Sequence, residues 1–222
     1  ADAAPALART TSTVKVPGPD RSPVTVFPGE EKHLRNLRRL TWGGENAECY
    51  FSPGDRMFCF QAKRGEMKAD QIFVMGLDGS NQRMVSSGKG ATTCSFLFPG
   101  AERILYATTA FHGDEPPPPP DRSKGYHWKL HPEYEIVLQN LDGTGLTRLT
   151  DTPGYDAECA LSPDGERACL HGGRAPAGWL FQILKCPRKG AFALSNQAQR
   201  GKKGWKSCRN ARQQSPCPVV PI

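Results

Sequence analysis

Two sets of side chains have types and spacings that could bind a metal ion. His127 and His131 are four residues apart, like paired zinc ligands on one turn of a helix, but a proline follows directly and the neighbouring residues favour turns. Asp151, Asp156 and Glu158 could offer oxygen ligands to calcium, but the Asp-x-Asp-x-Asp-Gly loop pattern is absent. The sequence therefore predicts no metal site.

Motifs for nucleophilic catalysis and for nucleotide binding are also missing. No G-x-S-x-G elbow occurs, and the stretch SGKGAT at residues 87–92 does not fit the spacing G-x-x-x-x-G-K-[ST]. The sequence predicts no catalytic residues and no cofactor, so we do not expect this chain to be an enzyme.

A repeated segment organises much of the chain. AECYFSPGDRMFC at residues 47–59 returns as AECALSPDGERAC at residues 157–169, 110 residues later, and TTCSFLFPGAERILY at residues 92–106 is a degenerate copy between them. Residues 71–85 and 134–150 each contain a β-rich run, an Asp-Gly turn and a second short strand, as in a hairpin. These patterns predict at least three units made of strands and turns.

The combined pattern is a Leu-Thr end, an Ala-Glu strand, a Ser-Pro-Asp-Gly turn, an apolar strand and a strand closing on Leu-Asp-Gly. This pattern resembles the TolB-type β-propeller repeat over roughly residues 40–174, and residues 162–165 give the turn intact. Gly54 and Asp55 stand in swapped order in the first copy, which predicts altered geometry because glycine normally takes the positive-φ position. The resemblance implies an all-β fold, a partial β-propeller of about three four-stranded blades.

The spacing of the repeats predicts three regions, an extended Pro-rich arm at 1–32, propeller repeats at 33–174 and a basic non-repeat tail at 175–222. Pro53 and Pro99 are 46 residues apart, about the length of one blade, whereas Pro99 and Pro163 are 64 apart. The extra length predicts an insertion at 110–132, whose five consecutive prolines are more typical of a stiff spacer than of a docking ligand. Three blades cannot close a ring, so we expect an open arc that self-associates through unpaired blade edges or is poorly stable alone.

Charge separates the tail from the repeats. Residues 171–222 contain 10 Lys or Arg and no Asp or Glu, whereas the rest of the chain has 19 basic and 22 acidic residues. The Asp-Gly turn due near position 188 is missing, which either an evolved basic tail or a change of reading frame would explain. The apolar run at 179–184 is an exception that could pair with the last blade. The basic cluster at 200–212, around Trp205, predicts non-specific, salt-sensitive binding to polyanions.

Cysteines recur within the repeats, which favours packing over disulfide bonds or metal binding. We align Cys49, Cys94 and Cys159 at one repeat position and Cys59 and Cys169 at another, and expect all five to be buried thiols. The three tail cysteines show no C-x-x-C spacing.

The resemblance also implies where a partner would bind. In the family the Ala-Glu strand is the innermost of each blade, so its leading residues face the central channel. The residues at these positions are Asn46, Glu48, Thr92, Thr93, Asp156 and Glu158. We expect them to form a polar ring that a protein or peptide partner enters; a structural role, in which the glutamates cap backbone or pair with arginines between blades, is the alternative.

The function that the resemblance implies is a non-catalytic propeller scaffold for protein–protein interaction in the cell envelope. The alternative is the propeller of a prolyl oligopeptidase-type serine peptidase without its catalytic domain. Small residues at the start of the chain are similar to the end of a removed secretory signal, which predicts a periplasmic or otherwise exported protein. No stretch of about 20 apolar residues, the length needed to span a bilayer, is present.

Overall fold

Short antiparallel strands account for nearly all the regular structure of this protein. The computed structural model describes residues 24, 26–123, 125, 129–151, 153–174 and 178–185, and in these residues the strands form three sheets. The first sheet contains β1 (Glu45–Phe51), β2 (Met57–Lys63), β3 (Gln71–Gly76) and β4 (Arg83–Met84). The second contains β5 (Thr92–Leu97), β6 (Arg103–Thr108), β7 (Glu135–Asn140) and β8 (Thr147–Arg148). The third contains β9 (Tyr155–Leu161), β10 (Arg167–Arg174) and β11 (Gly178–Lys185).

The three sheets pack face to face, with the second sheet between the other two. One apolar core lies between the first and second sheets and includes Cys59, Val74 and Tyr106, while another lies between the second and third and includes Leu105 and Leu170. Strands β3 and β7 are buried on both faces, and for this reason their sequences do not alternate between apolar and polar residues. The predicted all-β fold, a partial β-propeller, is confirmed, with two four-stranded blades and a third that has three strands in the described residues.

The turn between the first two strands is the same in all three blades. Asp55, Ala101 and Gly165 each donate a backbone N–H to the residue three positions earlier, at 2.8 to 2.9 Å. The swapped pair in the first copy is accommodated because Gly54 and Asp55 both have positive φ, 83° and 49°, and aspartate tolerates this region better than most residues. The first copy therefore keeps the turn of the repeat.

A buried hydrogen-bonded contact explains why a hydroxyl residue ends each of the first two blades. The Ser86 hydroxyl accepts the N–H of Ile72 and donates to Gln71, and the Thr150 hydroxyl accepts the N–H of Ile136 at 2.9 Å and donates to Glu135 at 2.6 Å. Glu135 is 2% exposed and is also paired with the guanidinium of Arg148. In these two blades the hydroxyl thus joins the end of the blade to its third strand.

Strand β11 lies beyond Arg174, where the sequence analysis ended the repeats. It pairs with β10 without a register break from Arg167–Lys185 to Arg174–Gly178, as β3 pairs with β2. Pairing satisfies the backbone groups at the edge of β10, and an extended segment can do so without the Asp-Gly turn of the other blades. The apolar run that was the expected exception within the tail is therefore part of the third sheet.

Several predictions concern residues outside those that the structure describes. These are His127 of the histidine pair, the cysteines at 186, 208 and 217, the basic cluster at 200–212 with Trp205, and most of the arm at 1–32. The described end of that arm contains a short 3₁₀ helix at Glu30–Lys32. No helix in the described part of the chain is long and apolar enough to cross a membrane.

Replacing Thr150 with valine tests the hydrogen-bonded contact of the second blade. Thr150→Val keeps the shape of the side chain but deprives Glu135 and the N–H of Ile136 of a buried partner, so we expect the free energy of unfolding to fall by about 1–3 kcal/mol. Thr147→Val is the matched control, because Thr147 is exposed on β8. Urea denaturation of the full chain measures both variants, and equal losses in the two would contradict the role of the contact.

Candidate interaction site

The first strands of the three sheets, β1, β5 and β9, share an irregularity at the same repeat position. The register of each with its neighbour shifts there, and the residues at the shifts, Glu48, Cys94 and Glu158, have left-handed φ angles of 47°, 51° and 51°. A side chain other than glycine in this region costs about 1–2 kcal/mol. Each first strand therefore has a β-bulge that redirects one side chain, and strained positions that recur in this way often serve a function.

The bulges correct the alignment of Cys94 that the sequence analysis made. Cys94 occupies the position of Glu48 and Glu158, while Ser95 is equivalent to Cys49 and Cys159. The 46-residue spacing of Pro53 and Pro99 already indicated the correct alignment, since it makes residue 94 the equivalent of residue 48. The alignment of Cys94 with Cys49 and Cys159, based on residue type, was therefore wrong by one residue in the second copy of the repeat.

The expectation that all five repeat cysteines are buried is also wrong for two of them. Cys59, Cys94 and Cys159 are at most 2% exposed, but Cys49 and Cys169 are exposed. Cys49 lies on the outer face of the first sheet and Cys169 on the outer face of the third, and no described strand covers either face. Their positions in the sheets, rather than their residue type, explain the exposure.

Glu48, Cys94 and Glu158 interact with one another. Burial raises the pKa of Glu48, a hydrogen bond from the Cys94 thiol lowers it in part, and the nearby Glu158 carboxylate raises it further. Each carboxylate also accepts a tyrosine hydroxyl of its own strand, Glu48 from Tyr50 at 3.4 Å and Glu158 from Tyr155 at 3.2 Å. The bulges therefore bring together two carboxylates with like charge.

The same surroundings make Cys94 a poor nucleophile. Burial, together with the charges of Glu48 and Glu158, raises the pKa of its thiol far above the usual range. A thiol reacts as its thiolate, which is scarce at pH 7 under these conditions. Cys94 can donate a hydrogen bond in this cluster, and Thr93 lies beside it at 3.2 Å.

Thr92 and Thr93, two other predicted site residues, are buried in the seam between the first and second sheets. The backbone N–H and the hydroxyl of Thr92 both donate to the carbonyl of Asp70 at 3.0 Å. The Thr93 hydroxyl donates to Gln61, whose amide in turn donates to the Asp70 carboxylate at 3.1 Å. These contacts give the two threonines a structural role between blades.

Asn46 and Asp156 take part in other contacts. Asn46 is exposed and accepts a hydrogen bond from Arg64 at 2.8 Å, and the Arg64 guanidinium lies over the ring of Phe73. Asp156 is fully buried, and its backbone N–H donates to the carbonyl of Tyr134 at 3.1 Å. Of the six predicted residues, the structure brings Glu48 and Glu158 together, and Cys94, Tyr50 and Tyr155 are the neighbours that the sequence analysis did not identify.

The insertion begins at the same rim as this cluster. The connection into β5 and the loop between β2 and β3 both lie at the end of the sheets where β1, β5 and β9 begin. The N–H of Gly90 donates to the carbonyl of Asp114 at 2.8 Å, Lys89 pairs with Asp114 at 2.9 Å, and Lys68 pairs with Glu115 at 2.6 Å. A groove between these loops and the first proline of the run is lined in part by Arg64, Met67 and Met84.

Glu48→Gln tests the electrostatics of the cluster. Because folding raises the pKa of Glu48 above its ordinary value of 4.5, ionised Glu48 destabilises the fold at neutral pH, and this cost disappears as the pH falls and the carboxyl is protonated. We therefore expect Glu48→Gln to raise the melting temperature at pH 7 and to change it little at pH 4. Circular dichroism during heating measures both. Glu102→Gln, in the exposed turn at the opposite end of the second sheet, should have no effect, and a lower melting temperature of Glu48→Gln at pH 7 would contradict the assignment.

Comparisons with known proteins find similarity in structure alone. No family model and no curated protein matches the chain. The solved structures similar to it include one assigned as TolB from Agrobacterium tumefaciens, with 17% identity and a TM-score of 0.48, covering 67% of this chain and 48% of that one. TolB from Acinetobacter baumannii is 17% identical, with a TM-score of 0.44, and the match covers 64% of this chain and 30% of that one. An oligogalacturonate lyase in complex with manganese is also 17% identical, with a TM-score of 0.43, and the match covers 67% of this chain and 35% of that one. This chain thus spans about half or less of each of these three structures, two of which are TolB structures, whose repeat this sequence resembles.

Proposed function

We propose that this protein is a non-catalytic propeller scaffold, exported to the cell envelope, that binds a basic segment of a protein partner. The observation that carries the proposal is the pair of carboxylates at equivalent bulges, Glu48 and Glu158. Within the described residues neither of them forms an ion pair. Two like charges held close together favour the approach of a cation, because the cation stabilises both ionised forms.

The surroundings of the pair support a peptide as the occupant. Tyr50, whose ring stacks on Phe96 at 4.6 Å, and Tyr155, which packs edge to face against Tyr134 at 5.8 Å, place aromatic rings beside the carboxylates. Aromatic side chains with a polar end are enriched where proteins bind one another, since they bury area at low entropic cost. A Lys or Arg side chain could contact both a ring and a carboxylate here.

The insertion offers a second surface at the same rim. Its first residues, Asp114 and Glu115, pair with Lys89 in the connection into β5 and with Lys68 in the loop between β2 and β3, and a run of five prolines, which favours a stiff extended chain, follows. Leu130, near the end of the insertion, is 38% exposed. We propose that a partner contacting the carboxylate pair also contacts this segment.

Charge reversal tests the proposal with a defined probe. We expect a fluorescent decapeptide of alternating Lys and Ser to bind the full chain at low salt, and the double variant Glu48→Lys, Glu158→Lys to weaken this binding on the order of tenfold or more. Fluorescence anisotropy at low and high salt measures it. The basic tail repels this probe, so binding to the tail does not mimic the site.

The matched control reverses two exposed charges in the turns at the opposite end of the sheets, Glu102→Lys and Glu166→Lys. Both double variants change the net charge equally. If only Glu48→Lys, Glu158→Lys weakens binding of the peptide, the binding site is at the bulges. If the two variants weaken binding equally, or if the first leaves it unchanged while circular dichroism shows an intact fold, the proposal is wrong.

A further inference from the structure

Arg64 is a buried cation without an anionic partner. It is only 6% exposed, and its guanidinium lies 4.9 Å from the centre of the Phe73 ring. The guanidinium donates to neutral amide oxygens, that of Gln82 at 3.0 Å and that of Asn46 at 2.8 Å, and its Nε has no hydrogen-bond partner among the described residues. In the part of the chain that the structure describes, no carboxylate pairs with this arginine. A buried charge without such a partner is costly, so the position favours an anion from outside the chain.

The second blade shows how this protein balances a similar charge. There Arg148 pairs with the buried carboxylate of Glu135, the residue that begins β7. Gln71 begins β3 in the same way, and it binds the hydroxyl that ends its blade as Glu135 does. The first blade therefore has a neutral amide where the second has a carboxylate. Burial lowers the pKa of the Arg64 guanidinium, and no carboxylate of the described residues offsets this effect.

The groove at the start of the insertion lies beside this arginine. Its volume is about 540 Å³, within the range of roughly 300–1,000 Å³ that is usual for sites of small ligands. Apolar side chains from β4, from the loop between β2 and β3 and from the insertion line it: Met67, Ala69, Met84 and Pro116. Three cations also line it, and two of these, Lys68 and Lys89, already pair with carboxylates of the insertion. Arg64 is therefore the cation of the groove that a bound anion would neutralise.

The glycine-rich connection into β5 has already used its backbone donors at the groove. The N–H of Gly88 donates to the side chain of Gln71 at 3.1 Å, and the N–H of Gly90 donates to the carbonyl of Asp114 at 2.8 Å. Phosphate groups and extended peptides usually bind through several backbone N–H groups, and these two are taken. A single carboxylate instead matches the guanidinium, with which it forms charge-assisted hydrogen bonds. The groove thus favours a ligand with one carboxylate and an otherwise apolar body.

We propose that this groove binds a small organic acid, whose carboxylate pairs with Arg64 while its apolar chain lies against Met67 and Met84. The carboxylate supplies to this arginine the charge that Glu135 supplies to Arg148. Methionine side chains suit the apolar part of such a ligand, because they are flexible and adapt to its shape. The groove is separate from the proposed partner site, since none of the residues at the bulges lines it.

Methyl NMR of methionine tests this site directly, because the chain has four methionines and two of them line the groove. The full chain is labelled at the methionine methyl groups with carbon-13 and titrated with octanoate. We expect saturable shifts of the signals of Met67 and Met84 and none of Met57, which packs in the seam between the first and second sheets. The basic tail contains no methionine, so octanoate bound there does not move these signals.

Two further probes separate the contributions of charge and chain. Octanol has the apolar chain without the carboxylate, and acetate has the carboxylate without the chain. We expect each to shift the two methionine signals far less than octanoate at the same concentration. This comparison needs no variant, so it holds even if a substitution at Arg64 prevents folding.

Variants of the arginine and a matched control locate the carboxylate. Arg64→Gln should weaken octanoate binding on the order of tenfold or more, because the charge-assisted hydrogen bonds are lost, and Arg64→Lys should retain part of the affinity. Arg56→Gln removes the same charge from the exposed turn between β1 and β2, at the opposite end of the first sheet, and should have no effect. Circular dichroism shows that the variants compared are folded.

Several results would overturn the proposal. These are octanol binding as tightly as octanoate, unchanged affinity in a folded Arg64→Gln variant, and a larger loss in Lys89→Gln than in Arg64→Gln. Tighter binding of acetyl-Leu-Leu than of octanoate would assign the groove to a peptide C-terminus in place of a small acid. Failure here is distinguishable from failure of the proposed partner site, because the Lys-Ser peptide is a cation that is tested at the bulges.

Discussion

The packing of one sheet face on the next is the interaction on which the rest of this structure depends. A four-stranded sheet with apolar residues on both faces cannot bury them alone, and the second sheet is well buried because it has a neighbour on each side. Its strands contain the fully buried residues Ile104, Leu105 and Ile136, which point to different seams. The first and third sheets have one described neighbour each, and the exposed Phe51 and Cys169 follow directly from this difference. Whether a side chain in this protein is exposed therefore depends more on its position in the repeat and on the neighbouring sheet than on its residue type.

The repeat made most of the fold predictable, because it fixes what recurs. The turn at residues 162–165, the hairpins with Asp-Gly and the hydroxyl at Thr150 all have a local physical reason, and all are where the sequence placed them. Strand β11 was predicted only as an apolar run at 179–184 that could pair with the last blade, because no turn motif marks where it begins. Its apolar residues gave the local signal, whereas its bounds and register depend on the edge of β10.

The candidate site was only partly predictable for a related reason. The resemblance placed six residues on the inner strands, but alternation along a strand cannot show where a bulge shifts the side chains from one face to the other. Thr92 and Asp156 are buried, whereas Glu48 and Glu158 sit at the bulges where their carboxylates approach each other. Cys94 belongs to the same set because it has the same backbone conformation, although its chemistry differs. In the second blade a thiol that donates a hydrogen bond thus replaces a carboxylate, which lowers the negative charge at this position and provides Glu48 with a donor.

The charges at the bulges link the stability of the fold to whatever binds there. Burial raises the pKa of Glu48, and the nearby carboxylates of Glu158 and Asp70 raise it further, while hydrogen bonds from Cys94 and Tyr50 lower it in part. Like charges close together favour either protonation of one of them or the approach of a cation. A basic segment that stabilises the ionised carboxylates would therefore also stabilise the folded protein at neutral pH, because it offsets the cost of keeping Glu48 charged.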